Sequence, residues 1–97
     1  MKEPAKLPAK DVGARLSKLP GWKRKNEKLH RTFTFADFSE AFAFMARAAL
    51  AAEKLGHHPD WSNVWNKVTV DLTTHDAGGV TKLDFELAAE MNRIAGN

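Results

Sequence analysis

The sequence predicts an α+β domain in which a four-stranded antiparallel sheet carries three helices on one face. Strand-like segments occur in two pairs, and the turns within each pair are too short for a parallel crossover. Three helix-like segments each have one apolar stripe, so they need a common apolar surface. The expected order is α-β-β-α-β-β-α, and the helix-free face of the sheet is left for self-association or ligand contact.

The first half of the chain supplies a helix and a hairpin. Apolar residues recur at helical spacing from Asp11 onward, and Pro20-Gly21 ends that helix. Residues 22–26 and 29–35 predict two strands paired through a tight turn at Asn26-Glu27. Alternation in the second strand places four side chains on one face, namely Leu29, Arg31, Phe33 and Phe35.

Residues 37–55 predict the longest helix, because alanine is frequent there and glycine and proline are absent. Gly56 follows as a helix stop, and Thr34 with Asp37 predicts a capping box at the start. We expect one stripe of this helix to pack on the sheet, formed by Phe38, Phe42, Met45, Ala49 and Ala52.

A second hairpin follows Gly56. Residues 60–64 and 67–74 predict its two strands, with Trp65-Asn66 as the turn between them. The later strand alternates between apolar and polar side chains, which is typical of a sheet with one buried face. Residues 76–79 are then expected to form a loop.

The final helix has a clear start and end in the sequence. Thr81 is a favourable N-cap residue, and Asp84 occupies the capping-box position three residues later. Gly96 ends the helix. Its expected buried face consists of Leu83, Leu87, Met91 and Ile94.

Length and composition bound the class of protein. We expect one domain, residues 1–97, with residues 1–10 as a flexible arm. The chain is 43% hydrophobic and 28% charged, as in a folded soluble protein. It has no cysteine, no membrane-spanning apolar run and no signal-peptide core, so we expect a cytoplasmic protein that makes no membrane contact. The net charge of +3 permits binding of nucleic acid without requiring it.

Two adjacent histidines, His57 and His58, lie between the long helix and the second hairpin. Pro59 disfavours helical backbone at His58, so that residue is expected to be extended. Neighbouring residues of a regular strand point to opposite faces, and both rings reach one pocket only if the backbone bends. If the second hairpin forms as predicted, His75 lies close to His58 at its open end.

Three imidazoles near one another suit proton transfer at neutral pH. A dehydration is one example, in which one group protonates a departing hydroxyl and another removes a proton from a neighbouring nitrogen. Zinc binding is the competing use, but adjacent histidines are awkward joint ligands and the spacing matches no common zinc pattern. From composition alone the simplest interpretation is that the histidines are surface or boundary residues, and we assign His30, on the polar face of a strand, to that class.

Four other residues near the junction have two interpretations each. Glu53 lies one turn before the helix end and either faces solvent or points towards the histidines. Asp84 caps the last helix and is also able to hold one end of a site. Trp61 and Trp65 either stack on a flat ligand or pack within the hairpin.

These residues together resemble a known family, the pterin-4a-carbinolamine dehydratases. The signature is similar at Glu53, His57-His58-Pro59, Trp65, His75 and Asp84. The segments 53–61 and 72–75 resemble those enzymes as well, and so does Asp37-Phe38 at the start of the long helix. The resemblance covers about residues 20–94.

The resemblance implies a lyase that dehydrates 4a-hydroxytetrahydropterin to quinonoid dihydropterin and water during tetrahydropterin recycling. It implies no metal or organic cofactor, and a homodimer or homotetramer. His57 and His75 would be the acid/base pair, and His58 would complete the catalytic site by binding and orienting the pterin. Glu53 and Asp84 would support the site. The other expected substrate-binding or supporting residues are Pro59, Asp60, Trp61, Thr73 and Thr74.

A binding protein is the alternative class. Lys23-Arg24-Lys25 and Arg31 could form a basic face for nucleic acid or a protein partner. Vertebrate members of the resembled family also act as dimerisation cofactors for a homeodomain transcription factor. A solvated, charged strand is the simpler interpretation of these residues, so nucleic-acid binding is not favoured.

Overall fold

A computed structural model describes residues 4–96, with three helices and four strands in the expected order. The helices are α1 (Ala9–Leu16), α2 (Phe38–Leu55) and α3 (Lys82–Ala95). The strands are β1 (Lys23–Lys25), β2 (Lys28–Thr34), β3 (Asp60–Val64) and β4 (Lys67–Leu72). The sheet order is β1-β2-β4-β3 and every neighbouring pair is antiparallel, so the predicted fold class is confirmed.

The central strands β2 and β4 form the floor of the core. Their alternate side chains are buried on the face that the helices cover, as the pattern of the sequence predicts. These side chains are Leu29, Phe33, Val68, Val70 and Leu72. The register of β3 and β4 joins Val64 to Lys67 beside the turn and Asp60 to Asp71 at the open end. Residues 57–59 and 73–75 therefore lie at the same end of the sheet.

The face of α2 that enters the core differs from the expected stripe. The buried residues are Ala41, Phe44, Ala48 and Ala52. Phe38 and Phe42 are 51% and 58% exposed, and Ala49 is exposed too, so the prediction was wrong at these three positions. A stripe chosen by side-chain size overlooks the need for small residues where a helix packs closely on its neighbours.

Several element ends also differ from the predictions. The N-cap of α2 is Asp37, whose carboxylate accepts the Glu40 N–H at 2.8 Å, so the expected capping box with Thr34 was wrong. Strand β4 ends at Leu72, and residues 75–77 form a short 3₁₀ helix in place of the start of the expected loop.

The N-terminal segment is tied to the rest of the domain. Residues 1–3 of the expected arm lie outside the described residues. Leu7 is half-buried against the core, and its N–H donates to the Val80 carbonyl oxygen at 2.8 Å. Helix α1 begins at Ala9, within the range expected to be an arm.

Within residues 4–96, no helix combines the length and the apolar character needed to cross a bilayer.

Candidate active site

A cleft of about 360 Å³ opens at the end of the sheet where α2, β4 and α3 meet. All three predicted catalytic histidines line it, together with Thr73 and Thr74. Sequence reasoning had not assigned a site role to three further lining residues, Gly56, Asp76 and Leu83. Their only signals in the sequence were a helix stop, a loop and an apolar helix position.

A larger groove of about 510 Å³ lies between α2 and α3, but no histidine lines it. Its charged residues include Glu90 and Arg93, which form an ion pair at 2.8 Å. The hydrogen bonds from Arg93 hold the pKa of Glu90 below its ordinary value. The smaller cleft is therefore the candidate site, because three imidazoles line it.

The end of α2 fixes the backbone beside His57. Gly56 adopts the left-handed conformation, with φ at +65°, which glycine tolerates without strain. The backbone N–H of His57 then donates to the Ala52 carbonyl oxygen at 3.1 Å, which satisfies one of the last helical carbonyls. The helix end thus sets where the His57 side chain begins.

His57 is anchored to α3 by a buried carboxylate. Its Nε2 lies 2.5 Å from Oδ1 of Asp84, and the Asp84 side chain is fully buried. The second oxygen, Oδ2, accepts the backbone N–H of Thr81 at 2.8 Å and the hydroxyl of Thr74 at 2.9 Å. The predicted capping box of α3 is present. Asp84 therefore caps the helix and holds an imidazole with the same carboxylate.

His58 has a different carboxylate partner in open surroundings. Its Nε2 lies 2.6 Å from Oε1 of Glu53, in the last turn of α2. The two side chains are 64% and 76% exposed. The adjacent rings of His57 and His58 thus contact carboxylates on different helices, Asp84 on α3 and Glu53 on α2.

His75 completes the set of three imidazoles. It begins the short 3₁₀ helix after β4 and is exposed to solvent. Thr74 precedes it, is only 6% exposed, and pairs with Gly79 across the tight loop. The cleft therefore combines one anchored, largely buried imidazole with two accessible ones.

The other predicted supporting residues do not line the cleft. Glu53 and Asp84 lie behind it and act on the histidines. Asp60 faces solvent and lies 3.9 Å from the Lys28 ammonium, while Trp61 packs partly against the core. Pro59 is half-buried in the extended segment before β3.

One tryptophan and one histidine considered in the sequence analysis lie away from the cleft. Trp65, 64% exposed, forms the turn of the second hairpin, at the end of β3 away from the cleft. His30 pairs with Asp71 across β2 and β4, with Nδ1 2.8 Å from Oδ1, on the helix-free face. Among residues 4–96, no three His, Cys, Asp or Glu side chains converge as a metal-ligand group would.

The basic hairpin is partly neutralised by its own neighbours. Arg24 donates to the Asn26 carbonyl oxygen at 3.0 Å and lies 3.5 Å from the Glu27 carboxylate. Lys6 contacts the same carboxylate at 3.3 Å. These contacts reduce the positive charge that this face presents to a nucleic acid.

Comparison with known proteins finds relatives over nearly the whole chain. Residues 5–94 match the family described as pterin 4 alpha carbinolamine dehydratase. A relative from Solibacter usitatus is 51% identical over 90 residues, which cover 93% of this chain and 95% of the relative. One from Rhodopseudomonas palustris is 56% identical and covers 93% and 91%. Both carry the provisional name pterin-4-alpha-carbinolamine dehydratase.

Solved structures give the same grouping. A crystal structure from Brucella melitensis, described as a transcriptional coactivator/pterin dehydratase, matches with a TM-score of 0.92 and 49% identity. It covers 94% of this chain and 99% of the other. A pterin dehydratase-like RuBisCO assembly factor of the alpha-carboxysome shares the fold, with a TM-score of 0.65 at 23% identity. The family match begins at residue 5, so it includes the N-terminal segment that the sequence resemblance had left out. By these matches, the chain belongs to the pterin-4-alpha-carbinolamine dehydratase family.

Proposed function

We propose that this chain is a hydro-lyase that converts 4a-hydroxytetrahydropterin to quinonoid dihydropterin and water. One observation carries the proposal: three imidazoles surround a single cleft, and a fully buried carboxylate anchors one of them. Membership of the family supplies the substrate class. The reaction would return an oxidised pterin to the tetrahydropterin recycling route, and it needs no metal or organic cofactor.

His57 is the proposed base. A carboxylate only accepts hydrogen bonds, so the nitrogen facing Asp84, Nε2, carries a proton. In the neutral ring Nδ1 is then the free acceptor, and it is the atom able to take a proton from substrate. We propose that Nδ1 of His57 takes the proton from N5 of the pterin.

His75 is the proposed acid. It donates a proton to the 4a-hydroxyl, and the C4a–O bond breaks to release water. The electron pair of the broken N5–H bond forms the C4a=N5 double bond of the product. Each turnover leaves a proton on His57 and removes one from His75, and exchange with solvent restores both. His58, oriented by Glu53, binds and orients the pterin.

A dehydratase assay on wild type and three single variants tests this assignment. Without added metal, wild type is expected to accelerate loss of the 4a-hydroxypterin absorbance. His57→Ala and His75→Ala should each lower kcat by about 10²–10⁴-fold, the usual contribution of general acid–base catalysis. His58→Ala should mainly raise KM, because its role is binding.

His30→Ala is the matched control, since it removes an imidazole from the opposite face of the sheet. It should retain the wild-type kcat. Full activity in both His57→Ala and His75→Ala would show that the acid/base assignment is wrong. No activity in wild type towards any 4a-hydroxypterin would remove the proposed function itself.

We also propose that the active protein is a homodimer or homotetramer, as the family resemblance implies. Light scattering coupled to size-exclusion chromatography measures its mass against the 10.8 kDa of one chain. A single species of monomer mass at assay concentration would contradict this.

A further inference from the structure

We propose that Thr81 and Thr74 are positioning residues. Their hydroxyls form a chain of hydrogen bonds, each donated in the direction of Asp84, and this hydroxyl chain fixes the tautomer of the His57 base. This inference deepens the proposed function and rests on its assignment of His57. The chain runs from the first turn of α3 through two buried hydroxyls to the carboxylate of Asp84.

The contacts form a continuous line. The Leu83 N–H donates to Oγ1 of Thr81 at 3.2 Å. That oxygen lies 2.7 Å from Oγ1 of Thr74, which in turn lies 2.9 Å from Oδ2 of Asp84. Thr81 and Asp84 are fully buried and Thr74 is 6% exposed, so protein groups rather than bulk water satisfy these atoms.

The direction of each hydrogen bond follows from its ends. A carboxylate only accepts, so Thr74 donates its hydroxyl proton to Oδ2 of Asp84. Each hydroxyl has one proton, so Thr74 then accepts from Thr81, whose oxygen also accepts the Leu83 N–H.

The reverse direction satisfies fewer groups. It would require a proton on Oδ2 of Asp84, although that oxygen already accepts the Thr81 backbone N–H at 2.8 Å. It would also leave the Thr81 hydroxyl proton with no acceptor among the described contacts, and an unsatisfied buried donor is costly. The observed geometry therefore favours the chain that ends on Asp84.

The direction of these hydrogen bonds also bears on which ring nitrogen of His57 carries a proton. Two hydrogen bonds donated to Oδ2 suit an ionised Asp84, and with the carboxylate ionised Nε2 of His57 supplies the proton in its contact with Oδ1. The hydroxyl chain thus keeps Nδ1 free for substrate. Removal of the Thr74 hydroxyl would take away one of the two hydrogen bonds that hold Oδ2 of Asp84 as an acceptor, and it would leave all three histidines of the cleft in place.

Nitrogen-15 NMR of histidine-labelled protein measures the tautomer directly, in spectra recorded at a pH where the His57 signals are those of a neutral ring. His57 signals are assigned by their loss in His57→Ala. Wild type should show Nε2–H at His57. Thr74→Val should show a mixture with Nδ1–H, and its kcat should fall about tenfold with KM changed less than about twofold.

Matched variants separate positioning from structural damage. Thr74→Ser and Thr81→Ser keep the hydroxyls and should restore both the tautomer and kcat. Thr32→Val removes a hydroxyl from another threonine pair, Thr32 with Thr69, on the helix-free face and should change neither. An unchanged His57 tautomer and kcat in folded Thr74→Val would overturn the proposal.

Neutron diffraction of deuterated wild type provides a test that does not depend on a variant. Deuterium is expected on Oγ1 of Thr74 towards Asp84 and on Nε2 of His57. Deuterium on Oδ2 of Asp84 would contradict the chain. Neither measurement needs turnover, so the proposal stands or fails separately from the dehydratase activity.

Discussion

Asp84 and Glu53 each contact a histidine of the cleft, yet one carboxylate is fully buried and the other is 76% exposed. The sequence predicted that both would support the site. It did not indicate which histidine each would hold, because the Asp84–His57 contact joins residues 27 apart and depends on how α3 packs beside the end of α2. The proximity of His58 and His75 was predictable, since hairpin pairing alone brings them together.

The difference in burial predicts different costs of neutralising the two carboxylates. Asp84→Asn should lower the free energy of unfolding by about 2–4 kcal/mol, since it disrupts three hydrogen bonds to a buried charge. Glu53→Gln should lower it by less than about 1 kcal/mol, because its ion pair is exposed to solvent. Urea unfolding at neutral pH measures both, and equal losses would contradict the assigned burial.

Helix α2 shows which features of a structural element the sequence pattern predicts and which it does not. Its extent was predictable from alanine content and Gly56, and β3 has the predicted bounds, Asp60–Val64. The orientation of α2 was not predictable by the same means. Between Ala41 and Ala52 every position of this helix except Arg47 is apolar, so periodicity does not distinguish the face that packs closely from the face that bears exposed phenylalanines.

Two adjacent alanines of α2 test its orientation. Ala48 is fully buried and Ala49 is exposed. Ala48→Leu should therefore cost about 1–3 kcal/mol of stability through overpacking. Ala49→Leu, the same change one position later, should stay within about 0.5 kcal/mol. Thermal or urea unfolding of the two variants measures these losses of stability. A larger loss for Ala49→Leu than for Ala48→Leu would contradict the observed orientation of α2 and favour the stripe expected from the sequence.

At the scale of the whole molecule, a second polar cluster joins the C-terminal part of α3 to the first hairpin. Oδ1 of Asn92 accepts from the Trp22 indole at 2.8 Å and from Arg31 at 2.6 Å. Its amide donates to the Pro20 carbonyl oxygen at 3.0 Å. The Arg31 guanidinium lies 4.1 Å from the centre of the Phe33 ring, and partial burial lowers the pKa of Arg31 below its ordinary value.

This cluster lies about 12 Å along α3 from Asp84, at 1.5 Å per residue. Asn92→Ala should lower the free energy of unfolding by about 2–3 kcal/mol, because it leaves buried partners unsatisfied. The kcat of the folded protein at 25 °C should remain that of wild type. A parallel loss of kcat would show that the two ends of α3 are coupled.

The double use of the first turn of α3 also constrains protein engineering. Position 84 caps a helix and holds His57, the proposed base, so a library that varies this position alone would be dominated by variants with a frayed helix end. Productive redesign around His57 would vary positions 57, 81 and 84 together, and retain a capping residue in every member. The same coupling would make this corner of the cleft slow to change by single substitutions during evolution, since each step must satisfy two demands at once.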